Sequence, residues 1–107
     1  MSTITRSVAL EKMMKYCAYQ DRCHQEVRYK LVEIGARGET LEEVMTILIE
    51  EKFLDEERFA KAYVRGKFRI KKWGRNKIIG ELKKRKISDY IISYLGFGLG
   101  LWVWSLP

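Results

Sequence analysis

The chain's only histidine, His24, follows Cys23 directly, and Cys17 lies one short segment upstream. A thiol and an imidazole are the parts of a nucleophile and its base, but their placement argues against that chemistry. Adjacent residues of a helix do not face each other, and Cys17 sits on an apolar stripe where a thiol stays protonated. Metal binding is poorly served too, since one His and two Cys without a Cys-x-x-Cys pair make no zinc pattern. Cysteines six apart near helices rarely meet disulfide geometry, so two reduced thiols in a cytoplasmic protein are expected. The carboxylate pairs Glu42-Glu43 and Glu56-Glu57 fall at expected helix starts, where the helix dipole accounts for them. No P-loop, dinucleotide fingerprint or catalytic triad occurs. An enzyme is therefore the most distant class, and no cofactor, metal or small-molecule substrate is expected.

Basic residues carry the stronger signal. Ala60 to Lys86 holds twelve Lys or Arg and one acid, Glu81, a net +11 within a chain whose formal charge is +7. A basic segment joined to a mildly acidic remainder suits an acidic partner, either nucleic acid or protein. Met1 to Ser7 shows no apolar core of a secretory signal, which agrees with a cytoplasmic location.

The elements that would position these bases read as helices. Hydrophobic residues make up 47% of 107 residues and the single proline is the last residue, so one globular, all-α domain is expected. Leu10, Met13, Met14 and Cys17 mark one face of a first helix, Ala9 to Tyr19, and Val27, Leu31 and Ile34 mark a second, from about Cys23. Gly35 supplies a left-handed stop for the second. Thr40 and Glu43 form a capping box for a third helix, with Leu41, Val44, Ile47 and Leu48 buried. Asp55 caps a fourth helix that runs to Lys72, with Phe59, Ala62, Tyr63, Gly66 and Ile70 inward. A fifth spans Gly74 to Arg85 around Ile78, Ile79 and Leu82, and a sixth starts at Ser88 with Ile91, Ile92 and Leu95.

A shift of 51 residues places Val27 on Ile78 and Leu31 on Leu82. With a four-residue deletion after that, Val44, Met45 and Leu48 fall on Ile91, Ile92 and Leu95. The expected organisation is an arm over 1–7, three-helix repeats over 8–54 and 55–95, and an atypical apolar tail over 96–107. Tandem three-helix repeats of this kind stack into an elongated helical array.

Specific residues now resemble a known family. Phe53-Leu54-Asp55-Glu56-Glu57-Arg58-Phe59-Ala60 is similar to the RecX pattern aromatic-Leu-Asp-Asp-x-Arg-Phe-Ala, with Glu56 in place of the second Asp. Lys72-Trp73-Gly74, Ile78 and Glu81-Leu82 resemble the family's Gly-x-x-x-Ile-x-x-Glu-Leu run. Arg22-Cys23-His24 and Lys30-Leu31 resemble the Arg-x-His and Lys-Leu of its first repeat. The resemblance covers about Ala9 to Leu95. It implies a regulatory protein of tandem three-helix repeats that binds the RecA recombinase filament and damps recombination and co-protease activity, within DNA repair and the SOS response. It also implies no cofactor and no chemistry on a substrate. Family members continue into a third repeat. Here the pattern gives way after Leu95 to an uncharged tail with three Gly and two Trp, which reads as a frameshifted or truncated end. That tail is too short to span a membrane, and no membrane partner is expected.

On the fourth helix, a 100° step per residue points Lys61, Arg65, Phe68 and Lys72 away from the expected core. An aromatic ring among bases suits a contact face, where the ring buries area and the bases steer docking. Arg69, Arg75, Lys77, Lys83 and Lys84 extend the basic surface. The expected partner is a RecA-type recombinase filament, with DNA phosphates as a further contact. The alternative is a sequence-nonspecific nucleic-acid-binding helical module. Asp55, Phe59 and Ala60, the most recognisable residues, are assigned to capping and packing.

Overall fold

The computed structural model describes residues 4–96, and every regular element among them is an α-helix. The six are α1 (Arg6–Tyr19), α2 (His24–Glu33), α3 (Gly38–Glu50), α4 (Glu56–Arg69), α5 (Arg75–Lys84) and α6 (Asp89–Gly96). The protein is all-α, and it divides into two three-helix units between Asp55 and Glu56. Residues 97–107, which hold nearly all of the expected apolar tail, lie outside the described residues.

The first unit is organised by one apolar cluster. Ala9, Met13 and Cys17 come from α1, Val27 and Leu31 from α2, and Leu41, Val44, Met45 and Leu48 from α3. The second unit buries Phe59, Ala60 and Val64 of α4, Ile78 and Leu82 of α5, then Ile87, Ile92 and Leu95. Both sets repeat at helical spacing, so burial of an amphipathic stripe is what stabilises each helix. Neither cysteine is in a disulfide, and both are buried.

Helix starts and stops use local hydrogen bonds. Thr5 Oγ1 accepts from the Val8 N–H at 3.3 Å, which starts α1 earlier than its apolar stripe alone predicts. Ser88 Oγ accepts from the Ile91 N–H at 3.3 Å ahead of α6. Glu26 reaches back to the Cys23 N–H at 3.1 Å, a capping contact that the sequence reading placed instead at Thr40. α3 begins at Gly38, and the Glu43 carboxylate turns to Arg6 of α1, 3.8 Å away, so it does not serve Thr40.

Three helices end the same way. After α2, the Gly35 N–H donates to the Val32 carbonyl at 3.1 Å and the Ala36 N–H to Leu31 at 2.8 Å. Lys52 and Phe53 repeat the pattern after α3, and Lys86 and Ile87 after α5. Gly35, Lys52 and Lys86 all have positive φ, at 102°, 65° and 63°. This is the Schellman closure, which satisfies the last carbonyls and turns an apolar residue back onto the helix. Lys at two of these sites carries the steric cost that Gly avoids, about 1–2 kcal/mol.

The internal repeat is visible in this geometry. α5 has the bounds of α2 displaced by 51 residues, its N-cap Gly74 stands at the place of Cys23, and Lys86 stands at the place of Gly35. The same displacement carries buried Ala9, Met13 and Cys17 onto Ala60, Val64 and Phe68.

That match corrects the reading of α4. Its buried stripe is Phe59, Ala60 and Val64, whereas Ala62 is exposed and Ile70 is 78% exposed. Apolar residues occupy two faces of this helix, so the 3.6-residue period alone does not choose between them. The helix also ends at Arg69 rather than Lys72, which adopts a positive φ of 61° in the connection.

Candidate functional site

Three groups of basic residues, two of them sharing Arg85, stand out in the second unit. Lys61, Lys84 and Arg85, the last being the C-cap of α5, are held by carboxylates three or four residues away on the same helix. Lys61 meets Glu57 at 3.1 Å, and Glu81 accepts from Lys84 at 3.2 Å and from Arg85 at 3.1 Å. Hydrogen bonds from Arg85 and Lys84 hold the Glu81 carboxyl below the usual carboxylate range. Ion pairs at the surface, of which Arg85–Glu81 is the more buried, contribute little stability, but they partly neutralise the cations.

A second group is stacked on rings. Tyr63 of α4 meets Trp73 edge-on with centroids 6.5 Å apart, and Phe59 lies 5.6 Å from Tyr63. The Lys67 ammonium is 4.8 Å from the Trp73 centroid and Lys77 is 4.3 Å from it. Arg85 lies 4.9 Å from the Tyr63 centroid. Cations over ring faces are attracted by the ring quadrupole, so these rings fix the directions of three bases.

The third group is uncommitted. Among the described residues, Arg65, Arg69, Lys71 and Lys72 pair with no carboxylate. Arg65 and Arg69 run along one side of Ala62, Gly66 and Ile70 on the open face of α4, and the five line a shallow groove of about 580 Å³. A Cβ added at Gly66 would meet nothing within 4 Å, so the floor of this groove is open space.

The predicted surface residues are thus distributed as follows. Arg69, Lys72, Arg75, Lys77 and Lys84 are exposed, while Lys61, Arg65 and Phe68 are half-buried. Arg65 and Arg69 come together on one face. Lys61 is drawn to Glu57, and Phe68 continues the stripe of Ala60 and Val64. Ala62, Gly66 and Ile70, read from the sequence as core, lie beside the two arginines and line the same groove.

A further basic cluster, in the first unit, escaped the sequence reading. Lys12, Lys15, Tyr16 and Tyr19 of α1, Arg22 of the connection and Lys30 of α2 line a surface groove of about 530 Å³. No charge run marks it, because its members are spread over nineteen residues, Lys12 to Lys30, among acids. Only the folding of α1 against α2 assembles them. Among the described residues there is no group of three or more His, Cys, Asp or Glu placed to hold a metal ion. No helix there is long and apolar enough to cross a membrane.

Comparison with known proteins gives a consistent result. Residues 55–93 match the family model described as RecX, second three-helix domain. The chain is 32% identical over 91 residues to the regulatory protein RecX of Prosthecochloris aestuarii, covering 85% of this chain and 60% of that one. It is 35% identical over 79 residues to the regulatory protein RecX of Clostridium tetani, covering 74% of this chain and 36% of that one. A crystal structure of regulatory protein RecX aligns with a TM-score of 0.76 at 26% identity, over 82% of this chain and 43% of that chain. The chain therefore spans between about a third and three fifths of the length of these relatives.

Proposed function

Because the chain belongs to the RecX family of regulatory proteins, we propose that it binds the RecA recombinase filament and damps its activity, without catalysing a reaction. The observation that carries this reading is the open face of α4, where Arg65 and Arg69 border an apolar floor of Ala62, Gly66 and Ile70. Such a face suits an acidic protein surface with an apolar residue beside its carboxylates. The bases steer docking, and the floor buries area once contact is made. Occupying space in a filament hinders strand exchange and subunit turnover, so no reactive group is required. A cytoplasmic location follows from that partner. Nucleic-acid binding by charge alone is the second reading, favoured by the net +9 of residues 56–107.

Replacing Arg65, Arg69 and Lys72 together with Glu should weaken association with a recombinase filament by about tenfold or more. Helicity by circular dichroism should be unchanged, since none of the three is in the core. Lys61 is left alone because Glu57 holds it. Normal filament binding by a helical triple variant would exclude this face. Filament binding no tighter than naked-DNA binding, with a steep salt dependence for both, would select the nucleic-acid reading.

A further inference from the structure

We infer that the groove of the first unit, lined by Tyr16, Tyr19, Arg22, Lys12, Lys15 and Lys30, binds single-stranded nucleic acid. This site is separate from the open face of α4 and does not rest on the reading of that face. Arg22 is the fixed element. Its Nε donates to the Tyr16 carbonyl at 3.1 Å, and its guanidinium carbon lies 3.7 Å from the Tyr16 ring centroid. The Lys30 ammonium approaches the same ring at 5.7 Å. Tyr16 is thereby covered by cations, and the guanidinium edge remains for an anion.

Tyr19 differs from Tyr16. It is 83% exposed, with Arg22 5.9 Å from its ring centroid. An exposed ring beside a fixed guanidinium offers a base a stacking surface, and the cation beside it offers the attached phosphate a partner. Lys12 and Lys15 continue the cationic line down α1, and Lys12 to Tyr19 is about 10 Å along the helix at 1.5 Å per residue. Among the described residues, Lys12, Lys15 and Arg22 pair with no carboxylate, whereas Lys30 meets Glu33 at 3.6 Å. Met13 and Ile34 contribute to the groove's lining. An acidic peptide would use the cations but gain little from an exposed tyrosine ring. A single strand uses both, which is why nucleic acid is the occupant argued for.

The test uses the full chain and a fluorescein-labelled oligothymidylate of about 15 nucleotides, near the upper site size of single-strand grooves. Fluorescence anisotropy reads affinity, and a 5-iodouracil strand reads contact by photocrosslinking and mass spectrometry. Tyr19→Ala should weaken binding by about five- to hundredfold, the range for loss of one base–aromatic stack. Tyr19→Phe should bind like the parent. Lys12→Gln with Lys15→Gln should reduce the salt slope by about 1.4, or 0.7 per lost phosphate contact on a single strand. Crosslinks should include Tyr19. Tyr19 is too exposed for its loss to unfold the unit, so a helical Tyr19→Ala variant that binds normally overturns the inference. So would crosslinks confined to the second unit, equal affinity for an abasic strand, or equal displacement by polyglutamate, the last pointing to an acidic peptide.

Discussion

In the first unit a ring of the helix carries a cation of the following connection: Tyr16 lies under Arg22 at 3.7 Å. In the second unit the arrangement is reversed at the same two places. Displaced by 51 residues, Tyr16 falls on Lys67 and Arg22 falls on Trp73, and the Lys67 ammonium lies 4.8 Å from the Trp73 ring. Ring and cation have exchanged sequence positions while the contact survives. The surroundings differ more. Around Trp73 the second unit adds Tyr63, buried Phe59 and two further cations, so Tyr63 and Trp73 are half-buried and engaged. Around Tyr16 the first unit leaves Tyr19 in solvent beside unpaired lysines. One three-helix pattern thus supports a consolidated junction in one copy and an open groove in the other. What the repeat preserves is the place of the contact, and what it varies is whether that place is free to bind.

The comparison predicts equal cores beneath unequal surfaces. Leu31 and Leu82 occupy matching places, at 0% and 1% exposure. Leu31→Ala and Leu82→Ala should each lower the unfolding free energy by about 2–5 kcal/mol, the cost of a buried leucine and the cavity it leaves. Urea unfolding followed by circular dichroism measures both. A cost below about 1 kcal/mol at either site, outside that range, would mean that the two residues are not equivalent.

Much of this core was legible in the sequence, and the reasons for the exceptions are local. Val27, Leu31, Val44 and Leu48 stand on helices with one apolar face, where periodicity leaves no choice. α4 has two. Phe59, Ala60 and Val64 compete with Ala62, Gly66 and Ile70, and the winning face is the one whose neighbours in α5 and α6 complete a core. The basic charge of the second unit was visible as a run. Its pairing was less visible, because Lys61 to Glu57 is a local contact but Lys67 to Trp73 depends on how the connection turns at Lys72. The first unit's groove gave no sequence signal, since its cations are diluted by acids that the fold sends to other faces. Glu42, for example, is taken by Arg28 between α2 and α3.

The exchanged ring and cation can be tested by exchanging them back. Trp73→Ala removes one ring pair and two cation contacts, and should cost roughly 1–3 kcal/mol. Arg22→Ala removes one close cation contact and should cost about 0.5–1 kcal/mol. The double variant Tyr16→Lys with Arg22→Trp recreates the second unit's arrangement in the first. It should be more stable than the sum of its two single variants predicts, by about 0.5–1 kcal/mol of coupling. Strict additivity would show that the contact is incidental to the repeat.

The smallest expected difference lies in the response to acid, where each unit has one carboxylate held low. In the first unit, Arg28 donates to both oxygens of Glu42, at 2.8 and 3.0 Å, and so ties α2 to α3. That hydrogen bonding lowers the Glu42 pKa and raises that of Arg28. In the second unit, Glu81 is lowered by Arg85, the C-cap of its own helix α5, and then by Lys84 of that helix. A depressed carboxyl contributes stability that is present above its unfolded pKa, about 4.3 for Glu. The contribution is lost as pH falls through the lower folded value. The raised Arg28 pKa has the opposite sign and matters only in strong alkali, so it does not enter this window. Glu42 is exposed and Glu81 is half-buried at the surface, where salt still screens both, so the effects are small. Their reach should differ, because one links two helices and the other stays within a turn. Amide protection factors, measured by NMR from pH 7 to about pH 3, a range that spans the glutamate titration, separate the two. Glu42→Gln should remove part of the acid-dependent loss of protection in both α2 and α3. Glu81→Gln should change it only in the last turns of α5. Equal spread of the two effects would mean that the interhelical fork adds nothing beyond a local pair, and the distinction between the units would then rest on their rings alone.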